Sequence, residues 1–205
     1  MFKYYKGLIY DNDLSQLYDK HDYEGNSIFP VFYFCENHIY NKYIIQEYDT
    51  IFTGNDYKYL LNKTNILNND IQILFEKEIS RVKPHWYWYR KGKFNINVNR
   101  RYYNTLFNYY VISYDLLKQL YDFYLLGNYG HYEMVIPSYV LNNDVSYDIL
   151  SNYDNINTQL NVYTYSDEII ENKSKINNLL IHPIKNDYQY NLLLSKHNNS
   201  GNQQV

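Results

Sequence analysis

A short apolar run, Tyr43-Ile44-Ile45, halts at Gln46 and is followed by carboxylates at alternate positions, Glu47 and Asp49. An apolar run that stops at Glu-x-Asp reads as a buried strand whose carboxyl end delivers acids into a crevice. That is where open α/β sheets hold their ligands. Side chains at alternate positions of an extended chain point to one side, so both acids could reach a single hard cation. The same pattern also fits solvated acids on an exposed strand end, and the remaining residues have to separate the two.

Other short runs follow the same rhythm. Gly7 to Tyr10, followed by Asp11-Asn12-Asp13, has the pattern of a first strand and turn, and Leu14, Leu17 and Tyr18 are spaced for one helical face. Ile28 to Phe34 is a second strand candidate, with Pro30 near its start and Cys35 at its end. Tyr57 to Leu61 is expected to make one or two helical turns, and Asp70 to Phe75 another strand. Lys83 to Phe94 is irregular and holds both tryptophans. Arg100 to Leu126 carries helical spacing, read as two helices or one broken helix with Ser113 as an N-cap. After Gly127-Asn128-Tyr129-Gly130, His131 to Leu141 opens the next element. Asn142 to Gln159 is polar and reads as a loop, with late strands at Leu160 to Tyr163 and Leu179 to His182. Alternating strands and helices predict an α/β fold, a central mixed sheet flanked by helices, in one domain over residues 1–185. The tail, 186–205, is polar and expected to be partly disordered.

Composition excludes several classes. The chain has 19 Lys and Arg against 22 Asp and Glu, a formal net charge of −3, which argues against a general polyanion binder. One cysteine leaves no internal disulfide framework and no Cys-based zinc cluster. No segment approaches the roughly 20 apolar residues of a membrane helix, and Met1-Phe2-Lys3-Tyr4-Tyr5-Lys6 lacks the apolar core of a signal peptide. A soluble, cytoplasmic protein is therefore expected. Its 29 tyrosines, abundant Asn and lack of Ala match AT-rich codons and say little about function.

Two further constellations accompany Glu47 and Asp49. Glu133 follows a Gly-bounded turn, in the first turn of the next segment, where free N–H groups and the helix dipole stabilise a carboxylate. Leu179-Leu180-Ile181 ends in His182-Pro183-Ile184-Lys185. Taken singly, Glu133 reads equally as a capping acid and His182 as an ordinary strand-end histidine.

In order, however, these features run as strand with acidic pair, aromatic loop, helix, Gly-rich turn with Glu, and His-Pro-x-Lys. That order resembles the GT-A class of nucleotide-sugar glycosyltransferases, and more narrowly uncharacterised members with a Glu-x-Asp metal motif. The resemblance spans Tyr43 to Lys185 and implies a Rossmann-like, GT-A-like fold with an abbreviated N-terminal half. It implies Mn2+ or Mg2+ held by Asp49 and Glu47, with His182 completing the site. Lys185 would contact the donor diphosphate, with Tyr10 and Asp11 also on the donor side. Glu133 would remove the proton of the acceptor hydroxyl, and His85, Trp86, Trp88 and His131 would bind the acceptor. The partners implied are a nucleotide-diphosphate sugar and a glycan or other hydroxyl acceptor.

Two other readings fit the residues. One is a non-catalytic carbohydrate- or protein-binding relic of that fold, suggested by the 46 residues before Glu47. The other is a single-stranded nucleic-acid binder using residues 83–103, where Trp86, Trp88 and Phe94 alternate with Lys83, Arg90 and Arg101.

Overall fold

The computed structural model describes residues 40–47, 49–53, 57–74, 77–79, 94–98, 101–160, 165–176 and 178–200, with positions 32, 35, 36, 89 and 90. The strands are β1 (Lys42–Gln46), β2 (Ile51–Phe52), β3 (Ile71–Ile73), β4 (Lys77–Glu78), β5 (Tyr103–Asn104), β6 (Tyr109–Ser113), β7 (Tyr147–Ile149), β8 (Asn157–Leu160) and β9 (Leu179–His182). The helices are α1 (Tyr57–Lys63), α2 (Tyr114–Leu125), α3 (Tyr132–Asn142), α4 (Asp167–Lys173) and α5 (Asp187–Ser200). The architecture is α/β with mixed sheets. The chain divides into two compact bodies, one of Met1–Asn41, Glu78–Asn104 and Tyr114–Asn143, the other of Lys42–Lys77, Thr105–Ser113 and Asp144–Val205.

The second body carries two sheets. In the first, of order β1-β6-β3-β7, β6 pairs antiparallel with both β1 and β3, while β3 and β7 run parallel. Tyr109-Tyr110-Val111-Ile112 is aromatic and β-branched and buried along its whole length, as a strand hydrogen-bonded on both sides requires. In the second sheet, of order β2-β9-β8, β9 lies in the middle, antiparallel to β2 and parallel to β8.

Alternate residues of β9 feed opposite cores, as the two-residue period of a strand dictates. Leu180 joins Phe52, Leu60, Val111, Leu150 and their neighbours. Leu179 and Ile181 join Ile51, Ile170, Ile184 and Leu193 on the other face. A sheet buried on both faces is held firmly, because each fully buried Leu or Ile contributes roughly 1.5–3 kcal/mol of transfer free energy. His182, at the end of β9, is therefore presented by a rigid strand.

In the other body, α2 buries Leu116, Leu117, Leu120 and Tyr124. Tyr121 stacks on Phe32 with ring centroids 4.0 Å apart. The helix ends at Leu125, and Gly127 supplies the left-handed φ of 87° that follows many helix ends. Helix α3 is tied to β5 by two side chains one turn apart. The Ser138 hydroxyl accepts from the Tyr103 N–H at 2.9 Å and donates to its carbonyl at 3.2 Å. The Asn142 amide brackets Arg101 in the same way.

Several sequence expectations are corrected. Residues 109–113, taken as helical, are the central strand β6, and the helix begins only at Tyr114. A short apolar run carries no periodicity of its own, and cross-strand pairing on both sides decides it. The polar stretch 142–159 is not simply a loop, since it contains β7 and most of β8. Asp148 is accommodated in β7 because Gln72 Nε2 and the Tyr153 hydroxyl each donate to its carboxylate at 2.8 Å. The strand expected from Leu160 ends there, and 161–164 lie outside the described residues. Within the second strand candidate, Phe32 is helical, as are the adjoining Cys35 and Glu36. Residues 187–200 form α5, while 201–205 lie outside the described residues. The first strand and helix, at residues 7–18, also lie outside them. Among the described residues, no helix is long and apolar enough to cross a membrane.

Candidate metal centre

Among the described residues β1 is an edge strand, and its ladder with β6 extends one step further, the Glu47 N–H donating to the Asn108 carbonyl at 2.9 Å. The chain then turns. The Thr50 N–H donates to the Glu47 carbonyl at 3.1 Å, and Gln46 Nε2 caps the Thr50 carbonyl at 2.5 Å. Glu47 and Asp49 therefore occupy the first and third positions of a four-residue turn, not alternate positions of an extended strand. Tyr43 is buried, but Ile44 and Ile45 are half-buried, because an edge strand is paired on one side only.

The turn hands the chain from the first sheet to the second. Strand β2 begins at Ile51 and pairs with β9, bringing the end of β9 back beside the turn. Past His182, the Ile184 N–H donates to the Asp49 carbonyl at 2.8 Å. The peptide between His182 and Pro183 is cis. Pro183 offers no N–H to continue a ladder, so the strand ends there.

Four chemically active side chains converge in this corner. His182 Nε2 lies 3.0 Å from Glu47 Oε2 and 3.3 Å from Asp49 Oδ1. Lys185 Nζ pairs with the other Asp49 oxygen, Oδ2. One ligand atom each from Glu47, Asp49 and His182 lies within 4.8 Å of the others, a group that could hold a metal ion. Exposure differs sharply across it: the Asp49 side chain is 2% exposed and that of His182 11%, against 35% for Glu47 and 45% for Lys185.

Asp49 Oδ1 decides how the corner reads. It is buried and accepts no hydrogen bond, with His182 Nε2 standing 3.3 Å away. A buried acceptor without a donor costs about 1–3 kcal/mol, and more when charged, so such atoms are rare unless something else binds them. The separations suit a cation. Ligands about 2.1 Å from one ion stand about 3.0 Å apart at an octahedral edge and about 3.4 Å apart at a tetrahedral one. The two edges that His182 makes with Glu47 and Asp49, 3.0 and 3.3 Å, fall in that interval.

Asn108, which nothing in the sequence singled out, belongs to the same corner. Its Nδ2 donates to Glu47 Oε2 at 2.7 Å and lies 3.3 Å from His182 Nε2. An asparagine in a chain this rich in asparagine gives no contrast, and only the register of β1 on β6 reveals it.

The remaining expected site residues fall elsewhere. Glu133 is buried in the first turn of α3, with His131 as N-cap. His131 Nδ1 accepts from the Glu133 N–H at 3.4 Å and stands 3.7 Å from its carboxylate. The turn before them is braced by a backbone exchange between Asn95 and Tyr129 at 2.9 and 2.7 Å. Gly130 has φ 145°, and a Cβ there would stand 2.8 Å from Phe94 Cβ, so only glycine fits. His131 and Glu133 belong to the helix-bearing body, and Glu47, Asp49, Asn108, His182 and Lys185 to the sheet-bearing one. Tyr10, Asp11, His85, Trp86 and Trp88 lie outside the described residues. No protein-family model, no curated protein and no solved structure matches this chain.

Proposed function

We propose that the chain is a metal-dependent glycosyltransferase of GT-A type, moving a sugar from a nucleotide-diphosphate donor to an acceptor hydroxyl. The observation that carries this reading is the convergence of Glu47, Asp49 and His182 around a buried carboxylate oxygen that accepts no hydrogen bond. Glu47, Asp49 and His182 would hold the ion. The two carboxylates suit Mg2+ or Mn2+, and of the two Mn2+ better accepts an imidazole beside them, Mg2+ demanding oxygen. When bound, such an ion supplies Lewis-acid neutralisation of the charge that develops on a departing diphosphate. Lys185 adds a point charge on a flexible, half-exposed stem, able to turn from Asp49 to a phosphate oxygen. Glu133 is the proposed base for the acceptor proton. Its burial in a helix first turn, beside His131, supports a carboxylate held in one orientation.

The test is release of nucleoside diphosphate from a panel of nucleotide-diphosphate sugars, with and without Mn2+. Release that needs Mn2+ and stops with a chelator is expected. If no nucleotide sugar is turned over or raises the melting temperature while a glycan does raise it, the chain is a carbohydrate binder.

A further inference from the structure

Asn108 holds Glu47 at two points. Its carbonyl accepts from the Glu47 N–H at 2.9 Å, and its Nδ2 donates to Glu47 Oε2 at 2.7 Å. Asn108 directly precedes β6, whose first residue, Tyr109, is fully buried, so the amide is anchored at the start of a buried strand. The residue is itself 5% exposed, and the same Nδ2 lies 3.3 Å from His182 Nε2. One carboxamide thus sits against two of the three ligand atoms of the metal centre.

Glu47 needs such a partner more than Asp49 or His182 does. Asp49 is buried and fastened by Lys185, and His182 ends a strand packed on both faces. Glu47 starts a turn at the end of an edge strand, with a side chain 35% exposed. A glutamate side chain gives up rotamer freedom when it is fixed. A donor that fixes the carboxylate beforehand removes part of that cost from the binding step.

The geometry points to Asn108 as a positioning residue of the metal centre, its amide presenting the Glu47 carboxylate in ligating orientation. This rests on the metal reading above, and Asn108 acts through Glu47, not on the ion. The residue type suits the task. An amide donates without adding charge, whereas aspartate would set a third carboxylate against Glu47, and lysine or arginine would compete with the cation. Hydrogen bonds of this kind to a ligating group change metal affinity by about 10–100-fold.

The experiment is a Mn2+ titration, followed by the electron paramagnetic resonance of free Mn2+. It compares wild type, Asn108→Ala, Glu47→Ala and the double variant. Asn108→Ala is expected to weaken binding about 10–100-fold in the wild-type background and less than about twofold in the Glu47→Ala background. If Asn108→Ala does not fold, Asn108→Ser takes its place, since its hydroxyl is too short to reach Glu47 Oε2 yet keeps the site polar. An unchanged Kd, or an equal loss when Glu47 is absent, overturns the assignment. If wild type binds no Mn2+, the metal reading fails and this inference with it. If wild type binds and Asn108 has no effect, this inference alone is wrong.

Discussion

Asp49→Asn is expected to lower Mn2+ affinity at least about 100-fold, and turnover with it, while leaving the metal-free fold in place. A factor of 100 corresponds to about 2.7 kcal/mol, a modest figure for removing an anionic ligand from a buried site. The substitution keeps the shape of the side chain and the backbone carbonyl that accepts from Ile184. It removes the charge that faces Lys185 and His182, and the half-exposed Lys185 ammonium can turn to water when that charge is lost. Removing the charge from a buried oxygen that accepts no hydrogen bond works in the opposite direction. The comparison is a Mn2+ binding isotherm beside a melting curve without metal. An unchanged isotherm would remove Asp49 from the ligand set.

The second large effect is expected at Glu133. Glu133→Gln keeps size and helix position but cannot accept the acceptor proton, and loss of a positioned general base costs about 10²–10⁴-fold in turnover. Mn2+ affinity is expected to stay at the wild-type value, because Glu133 is not among the proposed ligands. Asp49→Asn loses both metal and turnover, whereas Glu133→Gln loses turnover alone. Donor hydrolysis without acceptor separates the roles further, since the attacking water can pass its proton to bulk solvent instead of to Glu133. Full transfer activity in Glu133→Gln would return Glu133 to the role of a helix-start acid.

Much of the candidate site was legible because its residues stand where apolar runs stop. Glu47 and Asp49 follow Tyr43 to Ile45, and His182 and Lys185 follow Leu179 to Ile181, so each is a break in hydrophobicity visible without a structure. The strand at 179–182 was legible to the residue for the same reason. The turn at Glu47 to Thr50 was not, because it depends on one backbone hydrogen bond and on β2 leaving for a different sheet. The strand identity of Tyr109 to Ile112 was hidden by helix-like spacing around it, and pairing with β1 and β3 overrode that spacing. Strand β7 was hidden by polar residues whose partners, Gln72 and Tyr153, are 76 and 5 positions away. Asn108 was invisible for both reasons at once, being a common residue type made special by strand register.

Pulsed electron paramagnetic resonance of one equivalent of Mn2+ bound to the protein reads the atoms in contact with the metal. Nitrogen coupling from a single directly bound imidazole is expected, abolished by His182→Ala and unaffected by His131→Ala. Tight Mn2+ binding without nitrogen coupling, coupling that survives His182→Ala, or no tight binding at all would each contradict a Glu47–Asp49–His182 centre.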